Sequence, residues 1–511
     1  MPFILENSLA IPHVLKITFP LVLLTLAIGY GIIIAIYNVY FHPLRRFPGP
    51  KLWAATAILA AINIMRGRPH EKILEFHKKY GDVVRIGPAQ LSFAHPEAWK
   101  DVCGHLKRGQ LENEKDPKVI NEKLDKSVIS ACRERHGPLR RTLAHVFSAR
   151  AMAAQQPLIN KFIDLFIQRL HEQCEDGSKP LNMVKWYEWA TFDIIGDLAT
   201  GESFGCLENS RSHPWMVVLF EFMRTVPVMQ ALSDFPFSSI LKPLLFTLFI
   251  PLNIIRMHRA KQFSIDRIDK RLKLGAERPD FVTAMLENGS DYKLSKEELV
   301  DNSILLTTAG SETTATTLAG VTYFLCSHPD VLAKLNAEVR LAFKSEDEID
   351  VNSVQNLTYM HAVLKEAMRV YPAVAVALER LSPPCGTQIA GEYIAGGTSM
   401  GVWQYPLYHN PSHFLYPDSF IPERWLGDER FAKDHKEVLQ PFSHGPRSCL
   451  GMNLAYMEMR LIMARLIWNF DLKLASDSKD WVKHQKVLFF WVKPPLNVYL
   501  KPRAIQRHMD E

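Results

Sequence analysis

The chain has little cysteine and no local concentration of charge. Its 511 residues include seven cysteines, at 103, 132, 174, 206, 326, 385 and 449, with no CxxC pair. That is neither the density of a disulfide scaffold nor the spacing of a zinc site, and it suits a reducing compartment. The net charge of +6 comes from 60 basic and 54 acidic residues spread along the sequence, with no basic arm. Nucleic acid is therefore not an expected partner. The sequence has no internal repeat and no low-complexity tract, which excludes a solenoid. What remains, 47% hydrophobic and 22% charged, is the composition of a folded chain long enough to bury a large core.

One absence is local. Ile17 to Leu44 contains no Asp, Glu, Lys or Arg, and Leu21 to Tyr37 is mostly Leu and Ile. About 20 such residues cross a bilayer. Arg45, Arg46 and Lys51 follow directly and belong on the cytosolic side. The basic start, short apolar core and small-x-small site of a cleaved signal peptide are missing. The expected organisation is a lumenal 1–16, a single transmembrane anchor at 17–41, a Pro-rich hinge at 42–52 containing Phe47-Pro48-Gly49-Pro50, and one body at 53–511 on the cytosolic face of the endoplasmic reticulum. There, the acceptor-like Asn288-Gly-Ser and Asn356-Leu-Thr should carry no glycan. A second apolar run, Pro243 to Ile255, is too short to span. It is either a core segment or a dip into the membrane surface.

Within the body, helical patterning dominates from Leu139 to about Leu378. Val83 to Phe93 reads as a hairpin around Gly87-Pro88, and strand-like pieces return at Gln388 to Val402. Glu112 to Lys126 is highly charged and reads as a solvated loop or exposed helix. The fold class is mainly α with small β-sheets. The clearest helix starts at a capping box, Ser295-Lys-Glu-Glu298, runs to Cys326 and stops at His328-Pro329. Its centre, Thr307 to Thr317, lacks good helix formers: seven of eleven residues are Ser or Thr and one is Gly. Such a local penalty marks function more often than chance. Ala309 and Gly310 leave a face nearly bare of side chains, which a flat ligand can approach.

Near the C-terminus, Cys449 lies in a Gly/Pro-rich loop before a helix from Leu450 to about Phe470. Backbone N–H groups at that helix start would lower the thiol pKa and favour the thiolate. Gly445 and Gly451 would let backbone pass close to something flat, Pro446 stiffens the loop, and Arg447 offers a fork to carboxylates. A thiolate presented this way suits an axial ligand of haem iron. Glu366 and Arg369 share a helix face that ends at Tyr371-Pro372, and Phe420 to Trp425 supplies a second arginine, Arg424. Alone, an i,i+3 pair is commonplace.

Together these pieces resemble the cytochrome P-450 superfamily. Phe442 to Gly451 fits its haem loop, FxxGxRxCxG, and Ala309 to Thr314 fits its (A/G)GxxTT oxygen-binding motif. Glu366-Ala-Met-Arg369 fits ExxR, and Pro422-Glu-Arg424-Trp fits PER(W). His136-Gly-Pro-Leu-Arg140 fits (W/H)xxxR, with His where Trp is commoner. The resemblance implies a cytochrome P-450 fold behind one transmembrane helix, with haem b ligated by Cys449. Phe442, Gly445, Arg447, Gly451, Ala309 and Gly310 would line the haem, and His136, Arg140 and Arg447 would meet its propionates. Thr313 would face dioxygen, and Glu312 would deliver protons. Glu366, Arg369 and Arg424 would form a structural network. Leu305, Leu306, Ala309 and Val374 to Val376 are candidate substrate contacts.

The implied activity is a monooxygenase. Electrons from NADPH arrive through a separate reductase, and one atom of O2 enters an apolar small molecule. The stretch from Gln404 to the haem loop is more narrowly similar to filamentous-fungal secondary-metabolite hydroxylases of the trichothecene type, implying terpenoid or polyketide substrates. Two other readings remain. A reductase-independent haem-thiolate isomerase or dehydratase would not need the Glu312-Thr313 pair. A non-catalytic haem sensor would not need a proton path.

Overall fold

The capping box closes as the sequence predicts. Ser295 Oγ accepts the Glu298 N–H at 3.2 Å, and Glu298 Oε2 accepts the Ser295 N–H at 2.9 Å. The central helix therefore starts at Lys296 and runs to Ser327. Its 32 residues make a rod of about 48 Å. The computed structural model describes residues 7–105, 111–116, 125–233, 251–275, 278–286 and 292–503.

A second helix, Met183–Thr200, lies along the central one and is buried over nearly its whole length. Their contact is polar as well as apolar. Thr191 Oγ1 donates to the Ser311 carbonyl at 3.0 Å, and the Tyr187 and Thr322 hydroxyls pair at 2.6 Å. Gly310 belongs to this crossing. A Cβ there would meet Ile195 side-chain atoms at 3.0 and 3.1 Å. Its missing side chain admits a neighbouring helix, so the expectation that it bares a face to a ligand is corrected. The helices Thr358–Val370 and Met452–Asn469 pack on the other side. There Thr314 comes to the buried Glu458, whose carboxyl burial holds well above the usual carboxylate range.

The sheets are small. The largest has five strands in the order Val83–Gly87, Gln90–Phe93, Ser399–Val402, Arg380–Leu381, Glu114–Lys115. The first two form the expected hairpin, and Gln90–Phe93 pairs with Ser399–Val402 in parallel. The fifth strand corrects the reading of Glu112 to Lys126 as solvated. Glu114 pairs with Leu381 and Lys115 with Arg380, and Asn113 and Asp116 are buried. Residues 117–124 of that segment lie outside the described residues, as do 243–250 of the second apolar run and Asn288.

The N-terminal helix spans Asn7–Tyr40, and Leu21–Tyr40 is apolar enough to cross a membrane. Leu21, Leu26 and Ile33 are more than 60% exposed, which is costly in water and favourable in lipid. Its end is tied to the body. Arg85, itself buried, donates to the Asn38 carbonyl at 2.8 Å and to the Pro88 carbonyl at 2.5 Å. Asn38 in turn donates to the Ala55 carbonyl at 3.1 Å. In the Pro-rich stretch Leu44 and Phe47 are buried. Gly49 lies so close to the sheet that a Cβ would be 2.3 Å from the Arg85 carbonyl oxygen.

Candidate active site

The cysteine loop is shaped by its glycine. Gly445 has φ +76°, and a Cβ on it would lie 2.0 Å from the Cys103 carbonyl oxygen. The close approach that Gly445 permits is thus to protein backbone, not to a flat ligand, and the sequence expectation is corrected. Gly451 differs, since the nearest protein atom to its added Cβ would be Phe147 at 3.7 Å. The Cys449 N–H donates to the Phe442 carbonyl at 2.8 Å and closes the loop. The Phe442 ring sits on Tyr456, with centroids 5.1 Å apart. Arg140 braces the neighbouring residue, with Nη1 2.6 Å from the Ser448 carbonyl oxygen and Nη2 3.2 Å from Ser448 Oγ.

The Cys449 side chain is exposed, yet burial is the largest influence on its thiol and pushes the pKa up. Both hold for a side chain that is open on one side and walled by protein on the others. The Gly451 N–H and the charge of Arg140 pull the other way and lose. The expected helix-terminus effect is therefore present and outweighed, because desolvation disfavours the thiolate.

Around this loop lies a cluster of basic groups richer than the sequence announced. Arg447, His136 and Arg140 are joined by Lys115 and Arg380. Arg447 Nε donates to Glu112 at 2.6 Å, and Nη1 to the Ala131 carbonyl at 3.1 Å. Burial, reinforced by Arg447 and Arg380, lowers the Lys115 pKa to about 6. Burial and the four surrounding cations hold His136 at about 3. Arg380 is buried, and its Nη1 has no hydrogen-bond partner among the described residues. A pocket with buried guanidinium groups, an orphaned donor and an amine that burial pushes towards neutrality fits a ligand that brings carboxylates. Haem brings two, so the residues present suit it. Lys115 and Arg380 are neighbours only through strand register, 265 positions apart, and no local pattern marked them.

The central helix contributes a stripe. Ala309 is exposed in the middle of a helix whose other faces are mostly buried, and Leu305 and Thr313, one turn to either side, are half-buried. The three positions share a face at i, i+4 and i+8. Thr313 Oγ1 donates to the Ala309 carbonyl at 2.6 Å. Glu312 points elsewhere. It is buried, and its Oε1 accepts from Lys493. Of the substrate-contact candidates, Leu306 packs into the hydrophobic core instead, and Val374 is half-buried. Val376 lines an apolar cavity of about 110 Å³ with Trp53, Ile64, Ile86, Trp403 and Phe489. Leu305 is not among that cavity's lining residues.

Glu366, Arg369 and Arg424 meet with no exposed surface. Glu366 Oε1 accepts from Arg369 Nη2 at 2.8 Å, Arg424 Nε at 3.4 Å and the Ile421 N–H at 3.0 Å. Its Oε2 accepts from Arg369 Nε at 2.9 Å and Trp425 Nε1 at 2.8 Å. The arginines extend the bracing: Arg369 to the carbonyls of Tyr408, Pro417 and Ser419, and Arg424 to Asp434 and the Leu415 carbonyl.

Comparison with known proteins agrees with this geometry. The cytochrome P450 family model matches residues 47–501. Trichothecene C-15 hydroxylase of Fusarium sporotrichioides is 43% identical over 480 residues, covering 93% of this chain and 96% of the relative. A cytochrome P450 monooxygenase of Talaromyces stipitatus is 44% identical over 485 residues, 94% of each chain. Averantin hydroxylase of Dothistroma septosporum is 41% identical over 499 residues, covering 95% of this chain and 93% of the relative. Haem-thiolate iron, dioxygen-dependent catalysis, a redox partner and a small-molecule substrate go with that kinship. The match runs over nearly the whole chain, and the chain belongs to the cytochrome P450 family of monooxygenases.

Proposed function

We propose that this protein is a fungal secondary-metabolite monooxygenase of the endoplasmic reticulum. It would be anchored by residues 17–41, face the cytosol, and hydroxylate, epoxidise or successively oxidise an apolar terpenoid or polyketide. NADPH supplies the electrons through a separate membrane-bound reductase. The observation that carries the reading is the Cys449 side chain, exposed yet desolvated by the surrounding protein, beside Arg140 and the basic cluster. Bound haem supplies the reductive splitting of dioxygen, one atom going to substrate and one to water.

The residues around it do the rest. The Cys449 thiolate would bind the haem iron, while Arg447, Lys115 and Arg380 would hold its carboxylates and His136 would offer a ring nitrogen. Ala309 leaves room, and the Thr313 hydroxyl lies on the same face. Glu312 is the acid that returns protons to the cavity, at a site from which bulk water is kept. The apolar cavity at Val376 and Phe489 suits an apolar substrate with few hydrogen-bonding groups. Relatives named as trichothecene and averantin hydroxylases support the substrate class.

Microsomes carrying the protein and a reductase test the reading. They are incubated with metabolites of a strain lacking the gene, with and without NADPH, and the mass spectra are compared. The expected product is one oxygen atom heavier, needs NADPH and disappears in Cys449→Ala. A product of unchanged mass formed without NADPH would overturn it.

A further inference from the structure

Glu312 is tied on one side and unpartnered on the other. Lys493 Nζ donates to Oε1 and, at 2.8 Å, to Thr316 Oγ1. Oε2 is buried with no hydrogen-bond partner among the described residues. The Lys493 side chain is 2% exposed. It hangs between strands Phe490–Val492 and Asn497–Pro502, next to Pro494 and Pro495, which stiffen its backbone. On the far side of the same ammonium lies Glu188 Oε1, 3.9 Å away. Glu188 Oε2 accepts from Lys185 Nζ at 2.8 Å, and Lys185 is 46% exposed. Ionisable groups therefore run in sequence from solvent to the middle of the central helix: Lys185, Glu188, Lys493, Glu312.

A purely structural role accounts poorly for this arrangement. Burying two carboxylates around one ammonium costs more than an apolar filling of the same volume. An orphaned carboxylate oxygen adds to that cost. Arg224, on the neighbouring helix Pro214–Ser233, is exposed and adds only distant positive charge, and the buried Tyr371 hydroxyl lies in the field of Glu312. Lys493 is thus the cation that faces Glu312 at contact distance.

We propose that Lys493 is a positioning residue for Glu312, and that Glu188 is the outer acid of a proton path entering beside Lys185. This rests on the reading of Glu312 as the acid that supplies protons to the cavity. From the resting ion pair, the Lys493 ammonium passes a proton to the Glu312 carboxylate, which releases it to the cavity. Glu188 then takes a proton from water at the Lys185 end and hands it to the Lys493 amine. The charge of the cluster is restored, and no electron moves. A water or a small rotamer change spans the 3.9 Å step.

The test uses the full-length, haem-loaded protein in lipid vesicles. Carboxyl infrared absorption of the resting protein needs no turnover. At neutral pH, Lys493→Met should show a new protonated-carboxyl band that is lost in Lys493→Met/Glu312→Gln and absent from Lys493→Arg. With no new band in Lys493→Met, Lys493 does not hold Glu312 and the proposal falls.

With a reductase, NADPH-driven dioxygen consumption is then compared in water and deuterium oxide. Glu188→Gln should slow it about 10-fold and enlarge the solvent isotope effect, as Glu312→Gln does. An unchanged Glu188→Gln beside a slowed Glu312→Gln overturns the path through Glu188. An unchanged Glu312→Gln overturns the underlying reading of that acid instead.

Discussion

Glu366→Ala removes one carboxylate and strands five donors. Three of these belong to the guanidinium groups of Arg369 and Arg424, which have no exposed surface. The other two partners, the Ile421 N–H and Trp425 Nε1, lose an acceptor where solvent reaches poorly. Breaking a buried ion pair by deleting one partner costs about 3–5 kcal/mol, and each orphaned neutral donor adds about 1–3 kcal/mol. Arg369 keeps three backbone carbonyls, and Arg424 keeps Asp434 and Leu415, so the low end of the summed range applies, about 5 kcal/mol. Domain stability is itself about 5–15 kcal/mol. The carbonyls that Arg369 and Arg424 brace belong to residues 408–419, in the segment leading to the Cys449 loop, so the loss should appear as failure to retain haem. The assay is haem per polypeptide after purification, together with the denaturant midpoint, for wild type, Glu366→Gln and Glu366→Ala. Glu366→Gln, which keeps an acceptor oxygen, should fall between the two. Full haem occupancy and an unmoved midpoint in Glu366→Ala would refute the reasoning.

Gly445→Ala must move the loop, since its Cβ would overlap the Cys103 carbonyl and its φ is +76°. Haem content should drop several-fold, whereas Gly451→Ala, with 3.7 Å of clearance from protein, should retain fold and lose haem only if the cofactor occupies that space. Cys449→Ala should fold with a denaturant midpoint within about 1 kcal/mol of wild type, because its backbone bond to Phe442 needs no thiol, but the spectrum of thiolate-ligated haem should vanish. His409 is buried, stacks on Tyr405 at 3.9 Å, and burial lowers its pKa to about 3. The unfolded chain binds that proton first, so the stability that His409 gives as a neutral group is lost as pH falls below 6.5 towards 3, at up to about 1.4 kcal/mol per pH unit. His409→Phe keeps the stack and should flatten the acid limb of a midpoint-versus-pH curve; an unchanged limb would refute the assignment.

What could be read from the sequence was local. The capping box, the Glu366–Arg369 pair and the Gly87-Pro88 hairpin each depend on residues within one or two turns of each other, and each is found where the spacing put it. What escaped depends on distant chain meeting. Lys115 reads as one more charge in an acidic–basic stretch until strand register sets it beside Arg380. Lys493 lies 181 positions from Glu312, and nothing near either residue mentions the other. Glu458 looks like an ordinary helix glutamate until the central helix brings Thr314 to it. Gly310 was misread for a related reason: a small residue signals close approach, but only the packed structure says whether a ligand or Ile195 approaches. The thiol of Cys449 shows a contest of magnitudes, since a sequence displays the helix start and hides the desolvation that outweighs it.

Arg85 also makes the membrane anchor something other than a leash. Its guanidinium grips the Asn38 carbonyl inside the protein, and Arg46 reaches the Tyr393 carbonyl at 2.6 Å and Glu392 at 3.1 Å. A helix end pinned at these points passes its tilt to the five-stranded sheet as a rigid strut would. The attitude of the body above the bilayer is then written into the crossing angle of one helix, and its altitude into the length of that helix. Cutting the chain after Tyr40 would leave Arg85 without its carbonyl and free the body to tumble, a loss of alignment as well as of attachment.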